Sequence, residues 1–264
     1  MRPRPLALLL LTLGCRAGAP ASAVAPAPAA QSSPAGAPAP AAVPPPAPPQ
    51  ARELPAGWAS APLEQFGELL ERAFPAGERA TLVPSGFEEL SSALRGADEE
   101  LSLRALELLA RCSDPLAGEL LLQRLERRTA PRGELGATVD IAAATALRAF
   151  PAVRNAGGRL ESLGFGPRPH PDLEVRVACA CSALRLGPVR GIPFLLSILK
   201  HGTRIAVASS SWKPIRDMSF CQRQAAEALC ERAGRPCRFR PLQPLDEREA
   251  DIRVLETQLA PRRK

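Results

Sequence analysis

The sequence predicts an all-α chain built as an α-solenoid, and three observations carry that reading. Two stretches nearly repeat: Ala146-Leu147-Arg148-Ala149-Phe150-Pro151 recurs 37 residues later as Ala183-Leu184-Arg185-Leu186-Gly187-Pro188. A period in the 30s marks stacked supersecondary units rather than one globular core. Residues 101–125 and 173–199 also share a plan, in which an alanine-spaced segment ends, a proline (Pro115, Pro188) opens the next, and a glycine (Gly118, Gly191) follows three residues on. Finally, the part of the chain able to fold is rich in Ala, Leu and Arg and contains no Tyr. Strands favour β-branched and aromatic side chains, so this composition favours helix.

The first residues are organised for export. Met1-Arg2-Pro3-Arg4-Pro5 is basic, and the apolar run from Leu6 to Leu13 is too short to span a bilayer as a stable helix. Gly14-Cys15 at its end resembles the lipobox of bacterial lipoproteins, in which the cysteine carries lipid, although Thr12 stands where Leu is usual. On this reading 1–14 is a signal peptide and Cys15 the lipidation site, which implies a membrane-anchored lipoprotein of the bacterial envelope. A cut after Ala21-Ser22-Ala23, releasing a soluble secreted or periplasmic protein, stays open. Residues 15–55 are almost wholly Ala, Pro, Ser and Gly, including Pro44-Pro45-Pro46-Ala47-Pro48-Pro49. Proline fixes φ and removes backbone donors, and nothing large and apolar is there to bury. The segment is therefore expected to be a disordered, extended spacer of at most about 3.1 Å per residue.

The helices follow in order. Leu63, Phe66, Leu69, Leu70 and Phe74 lie at helical spacing, and 87–94 reads as a short second helix, so 56–97 is expected to cap the stack. The repeat domain is placed at 98–264. Asp98 is the expected cap of a helix whose stripe is Leu101, Ala105, Leu108, Leu109 and Cys112. Pro115 starts its partner, with Leu116, Leu120, Leu121 and Leu125. In the second pair, 138–150 is helical and 154–163 is weakened by Gly157-Gly158. The third pair has Val175, Ala178, Cys179, Ala183 and Leu186 on one helix behind Asp172, and Ile192, Leu195, Leu196 and Leu199 on the other. After an insert at 201–219, Ala225, Ala226, Leu229 and Ala233 line a helix ended by Gly234, and Ile252, Leu255 and Leu259 line the last.

Two-helix units of this length, with small residues in the first helix (Ala105, Ala146, Ala178, Ala183, Ala226), a Pro opening the second and Val153-Arg154 or Val189-Arg190 beside it, resemble HEAT repeats. The tail 224–259 is similar to the closing repeat of exported bacterial HEAT proteins. The resemblance covers roughly 98–259 and implies three to four HEAT-like hairpins. Most such proteins bind partners.

Little chemistry is encoded. His170 and His201 are the two histidines, and no HExxH, phosphate loop, dinucleotide fingerprint or nucleophile elbow is present, so no catalytic residue is assigned, and no cofactor or metal. The net charge of +7 is spread among acids rather than drawn into a stripe, which argues against nucleic acid. Six cysteines remain beyond Cys15. Cys112, Cys179 and Cys181 read as reduced core residues, Cys221 is left open, and Cys230 and Cys237 are expected to pair as a disulfide across the Gly234 reversal. A zinc site from Cys221, Cys230, Cys237 and His201 lacks a recognised spacing. The insert carries Trp212, Lys213 and Arg216, types enriched at interfaces, and reads either as a partner-binding loop or as a cover over the core.

The expectation is thus a non-enzymatic, monomeric scaffold or adaptor for an unidentified envelope protein, held at the membrane by the lipid. The alternatives are a lyase-like or accessory HEAT protein binding a small ligand, and a purely structural repeat domain.

Overall fold

Ten helices account for most of the described residues, which in this computed structural model are 51–75, 78–128, 136–200 and 212–260. They are α1 (Leu63–Ala73), α2 (Pro84–Arg95), α3 (Glu99–Ala110), α4 (Pro115–Glu126), α5 (Gly136–Ala146, continued by a 3-10 turn at Leu147–Ala149), α6 (Ala156–Phe165), α7 (Leu173–Arg185), α8 (Ile192–Lys200), α9 (Trp212–Arg232) and α10 (Leu245–Leu259). Among the described residues there is no strand. Two isolated bridges, Arg52 with Leu82 and Ala80 with Cys112, tie the segments around α1 and α2 to the end of α3. No described helix is long and apolar enough to cross a membrane. The signal segment, Cys15 and nearly all of the spacer lie outside the described residues.

The boundaries follow local chemistry. A helix leaves its first N–H groups unsatisfied, and side chains one turn earlier supply the acceptors. Asp98 accepts from Leu101 N–H at 3.0 Å, Asp114 from Leu116 N–H at 2.8 Å and Asp172 from Val175 N–H at 3.1 Å. Pro115 takes the first position of α4 and Pro84 that of α2, so the second helix begins three residues earlier than its apolar pattern suggests. Pro188 behaves differently from Pro115. It lies in the turn ahead of α8, which starts only at Ile192.

The helices pack in two series. Contacts run from α3 to α5, from α5 to α7 and from α7 to α9, while α2 touches α4, α4 touches α6 and α8 touches α10. Each member of the second series also packs on the next of the first, as α2 does on α3, α4 on α5, α6 on α7 and α8 on α9. The result is an all-α, solenoid-like arrangement, and Ala51–Lys264 forms one compact unit.

Two details depart from the pattern read in the sequence. Single apolar stripes were expected on α3 and α7, but both are buried nearly all round: Leu103 and Leu106 join the α3 stripe, and Val177, Ala180, Cys181 and Leu184 join that of α7. A helix flanked by neighbours in both series has no free face. Conversely Leu116, expected in the core, is 45% exposed on α4. The second surprise is α6, whose glycines were read as a weakness. A Cβ on Gly157 would sit 2.7 Å from Pro188 Cγ, so the small residue lets the next turn close over the helix. Gly118 plays the same part on α4, where a Cβ would lie 2.5 Å from Val153 Cγ2.

Candidate functional site

The longest helix, α9, carries a candidate site at each end. Its start corrects the reading of 201–219 as an insert: the helix already begins at Trp212 and runs for 21 residues. Pro214 does not prevent this, because in the first turn its missing N–H would have had no intrahelical partner. Trp212, Lys213 and Arg216 therefore belong to the first turns of α9. Their side chains, and residues 201–211 with His201, lie outside the described residues.

The other end of α9 is fully described. Gly234 adopts φ +67°, the left-handed conformation that costs an L side chain strain. Arg235 N–H then donates to Cys230 C=O at 3.0 Å and Gly234 N–H to Glu231 C=O at 3.1 Å, the paired bonds of a Schellman cap. The chain is thereby turned back over the last turn of the helix. Five residues beyond the cap Phe239 is buried, with the Arg248 guanidinium 5.6 Å from its ring centre.

Between these two anchors lies Cys237. Cys230 and Cys237, expected to pair, are both free thiols, and the reversal sets Cys237 two residues past Arg235, whose N–H meets Cys230 C=O. Cys230 is buried and Cys237 exposed. Burial pushes the Cys230 thiol up to about 12, and its interaction with Cys237 adds to the shift. Cys237 also borders an open groove of about 1060 Å3 between the 237–244 loop, α9 and the first half of α10. Arg223, Arg238 and Arg240 line the groove together with Glu227, Glu247 and Asp251, so its charges balance. Leu242 stands at its edge, 79% exposed, with the half-exposed Leu245 three residues on.

Cys112, Cys179, Cys181 and Cys221 are free and buried, and burial raises all four. Cys221, left open on the sequence, faces the core around α7 and α9. Among the described residues no cluster of three His, Cys, Asp or Glu side chains forms that could hold a metal ion.

Sequence reading missed a buried polar network. Asp140 on α5 is 2% exposed and accepts from Arg124 Nε of α4 at 2.9 Å. His170, 1% exposed, turns Nε2 towards the other carboxylate oxygen at 3.5 Å, while its Nδ1 accepts Asp172 N–H at 3.2 Å. That acceptor role leaves the ring proton on Nε2, facing the carboxylate. His170 is thus buried beside α7 against Asp140, with Nδ1 engaged by the Asp172 N–H. Asp140 lies 16 positions from Arg124 and 30 from His170, so no local signal could have linked the three.

The arginines explain themselves in the same way. Many reach across to carbonyls at the ends of neighbouring helices, which lack intrahelical donors. Arg52 donates to Ala73 C=O at 2.7 Å, Arg111 to Phe74 C=O at 2.8 Å, Arg124 to Leu94 C=O at 2.9 Å and Arg176 to Gly164 C=O at 3.0 Å. Arg159 spans two carboxylates, Glu119 at 2.6 Å and Glu126 at 2.7 Å. Much of the positive charge is engaged within the fold.

Compared with family models, with curated proteins and with solved structures, the chain matches none of them.

Proposed function

We propose that this chain is a non-catalytic scaffold or adaptor, a HEAT-like helical stack tethered to the bacterial envelope through lipid on Cys15 and held off the membrane by the Ala/Pro-rich spacer. The observation that carries the reading is the serial contact of α3, α5, α7 and α9, which draws polar side chains into braces and caps and leaves the outer helices to meet other molecules. A polypeptide partner is favoured at the two ends of α9. Trp212, Lys213 and Arg216 belong to one, and the exposed Leu242 and Leu245 flank the charge-balanced groove at the other. Tight, enclosed retention of a small ligand, as distinct from a passing encounter, has less support, because the groove is open and such sites are normally concave and mostly enclosed.

The test places a photo-crosslinking amino acid at Trp212 or at Leu242 in the full chain, expressed in a bacterial host. Position 116, 45% exposed on α4, serves as control. One defined envelope protein linked from Trp212 or Leu242, and displaced by excess unlabelled chain, is the expected result. Equal labelling from all three positions would sink the scaffold reading. Fractionation tests the anchor: Cys15→Ser is expected to move the protein from the membrane pellet to the soluble fraction, and a wild type already soluble and starting at Val24 would refute it.

A further inference from the structure

We propose that Cys237 is a thiol–disulfide exchange site with Cys230 as its resolving thiol, and that it reacts with zwitterionic low-molecular-weight disulfides of the cystine or glutathione type. The proposal is independent of the scaffold reading.

Selectivity comes from exposure. Of the six described cysteines only Cys237 is exposed, and Cys112, Cys179, Cys181 and Cys221 are at most 1% accessible. A dissolved disulfide therefore meets one sulfur first. Reactive cysteines are accessible thiols in electropositive surroundings, and buried ones are inert; Arg235 and Arg238 flank Cys237 in the chain. The Cys237 thiol borders a groove holding three guanidinium groups and three carboxylates, a pattern that complements a ligand bearing both carboxylates and ammonium groups.

The second thiol is held where the intermediate forms. Cys230 is 3% exposed, out of reach of a dissolved disulfide, yet the cap ending its helix brings Arg235, two residues before Cys237, back onto Cys230 C=O at 3.0 Å. That approach is imposed from both sides, by the Arg235 N–H bond to Cys230 C=O and by the buried Phe239 ring. Pro236, with its fixed φ, shortens the search between them.

The steps balance. The Cys237 thiolate attacks one sulfur of the small disulfide RSSR, forming a protein–S–S–R bond and releasing one RS⁻, which takes a proton from water. The Cys230 thiol loses its proton to water and attacks the Cys237 sulfur, expelling the second RS⁻. Two protein thiols are oxidised and one disulfide is reduced to two thiols. Burial lowers the thiolate fraction of Cys230, and proximity offsets this because the attack is intramolecular. The product bond staples the 235–239 loop to the end of α9, alongside the groove.

The experiment treats the reduced full chain with glutathione disulfide, quenches with an alkylating agent and maps tryptic peptides. Cys230 and Cys237 fall on separate peptides, 224–232 and 233–238, since the Arg235-Pro236 bond resists trypsin. Wild type is expected to give these two joined. Cys230→Ser should stop at glutathione on the second peptide, with Cys230→Ala as a check on packing, and Cys237→Ser should lose the reaction at both positions. The uncharged hydroxyethyl disulfide is expected to react more slowly than glutathione disulfide. The proposal is overturned if wild type accumulates only the glutathione adduct, if the Cys237→Ser protein reacts at Cys230 while folded, or if neither peptide changes. Equal rates with the two reagents would remove the assignment to zwitterionic disulfides.

Discussion

Arg124 donates through Nε to Asp140 Oδ1 at 2.9 Å, joining α4 to α5 where the carboxylate is almost wholly out of solvent. The same guanidinium reaches Leu94 C=O through a second nitrogen at 2.9 Å, so one side chain ties the end of α2 to both helices. Breaking such a buried pair leaves a charge without compensation, whereas replacing both members by apolar groups is often close to neutral. Asp140→Ala should therefore destabilise by about 3–5 kcal/mol in urea unfolding. The double variant Arg124→Leu, Asp140→Leu should recover a large part of that loss, and a single-variant cost near zero would show that the pair is not buried in solution.

Glu107 gives the fold a pH dependence. It lies on α3 at 2% exposure, and burial raises its carboxyl from 4.5 to about 7, against the lowering effect of Arg111 and Arg104. An acid whose folded pKa is raised binds its proton more tightly when folded. Its stabilising contribution is complete below the unfolded pKa and is lost as pH rises through the folded one. Between roughly pH 4.5 and 7 this group should remove on the order of 2–3 kcal/mol of stability. Glu107→Gln should flatten that part of the profile in urea titrations at a series of pH values, and an unchanged slope would count against a buried carboxyl.

Gly234 is the hinge on which the dithiol geometry depends, with φ at +67°. An L residue in that conformation costs about 1–2 kcal/mol, and Asn less than Ala. Gly234→Ala should lower stability by about that amount, and thermal melts of the Ala and Asn variants should rank in that order.

Leu195 and Leu199 on α8 are fully buried in the cluster shared with α7, α9 and α10. Truncating either to Ala should cost on the order of 2–5 kcal/mol, set by how far the site collapses around the cavity. Circular dichroism of the wild type should be dominated by helix. A cost below about 1 kcal/mol at both positions would contradict the packing.

The features legible in the sequence are those that close within a few residues. Asp98 and Asp172 could be read as caps because their acceptors lie three positions from the N–H groups they meet. Gly234 could be read as a helix end because a Schellman cap spans only six residues. The start of α9 was misread for a local reason too. Pro214 sits in the first turn of α9, within the span read as an insert, and proline there breaks no hydrogen bond.

By itself the sequence determined the helical class, the order of the helices and most of their ends, because propensity, apolar spacing and capping act over one or two turns. Only the tertiary structure decided which helices lose every free face, as α3 and α7 do, and which glycines are points of contact rather than breaks. It also decided that Asp140 would meet Arg124 and His170, and that one thiol of six would face solvent beside a charged groove. Those outcomes depend on groups far apart in the chain being brought within a few ångströms. Burial and electrostatics belong to that assembled neighbourhood, and no residue carries them alone.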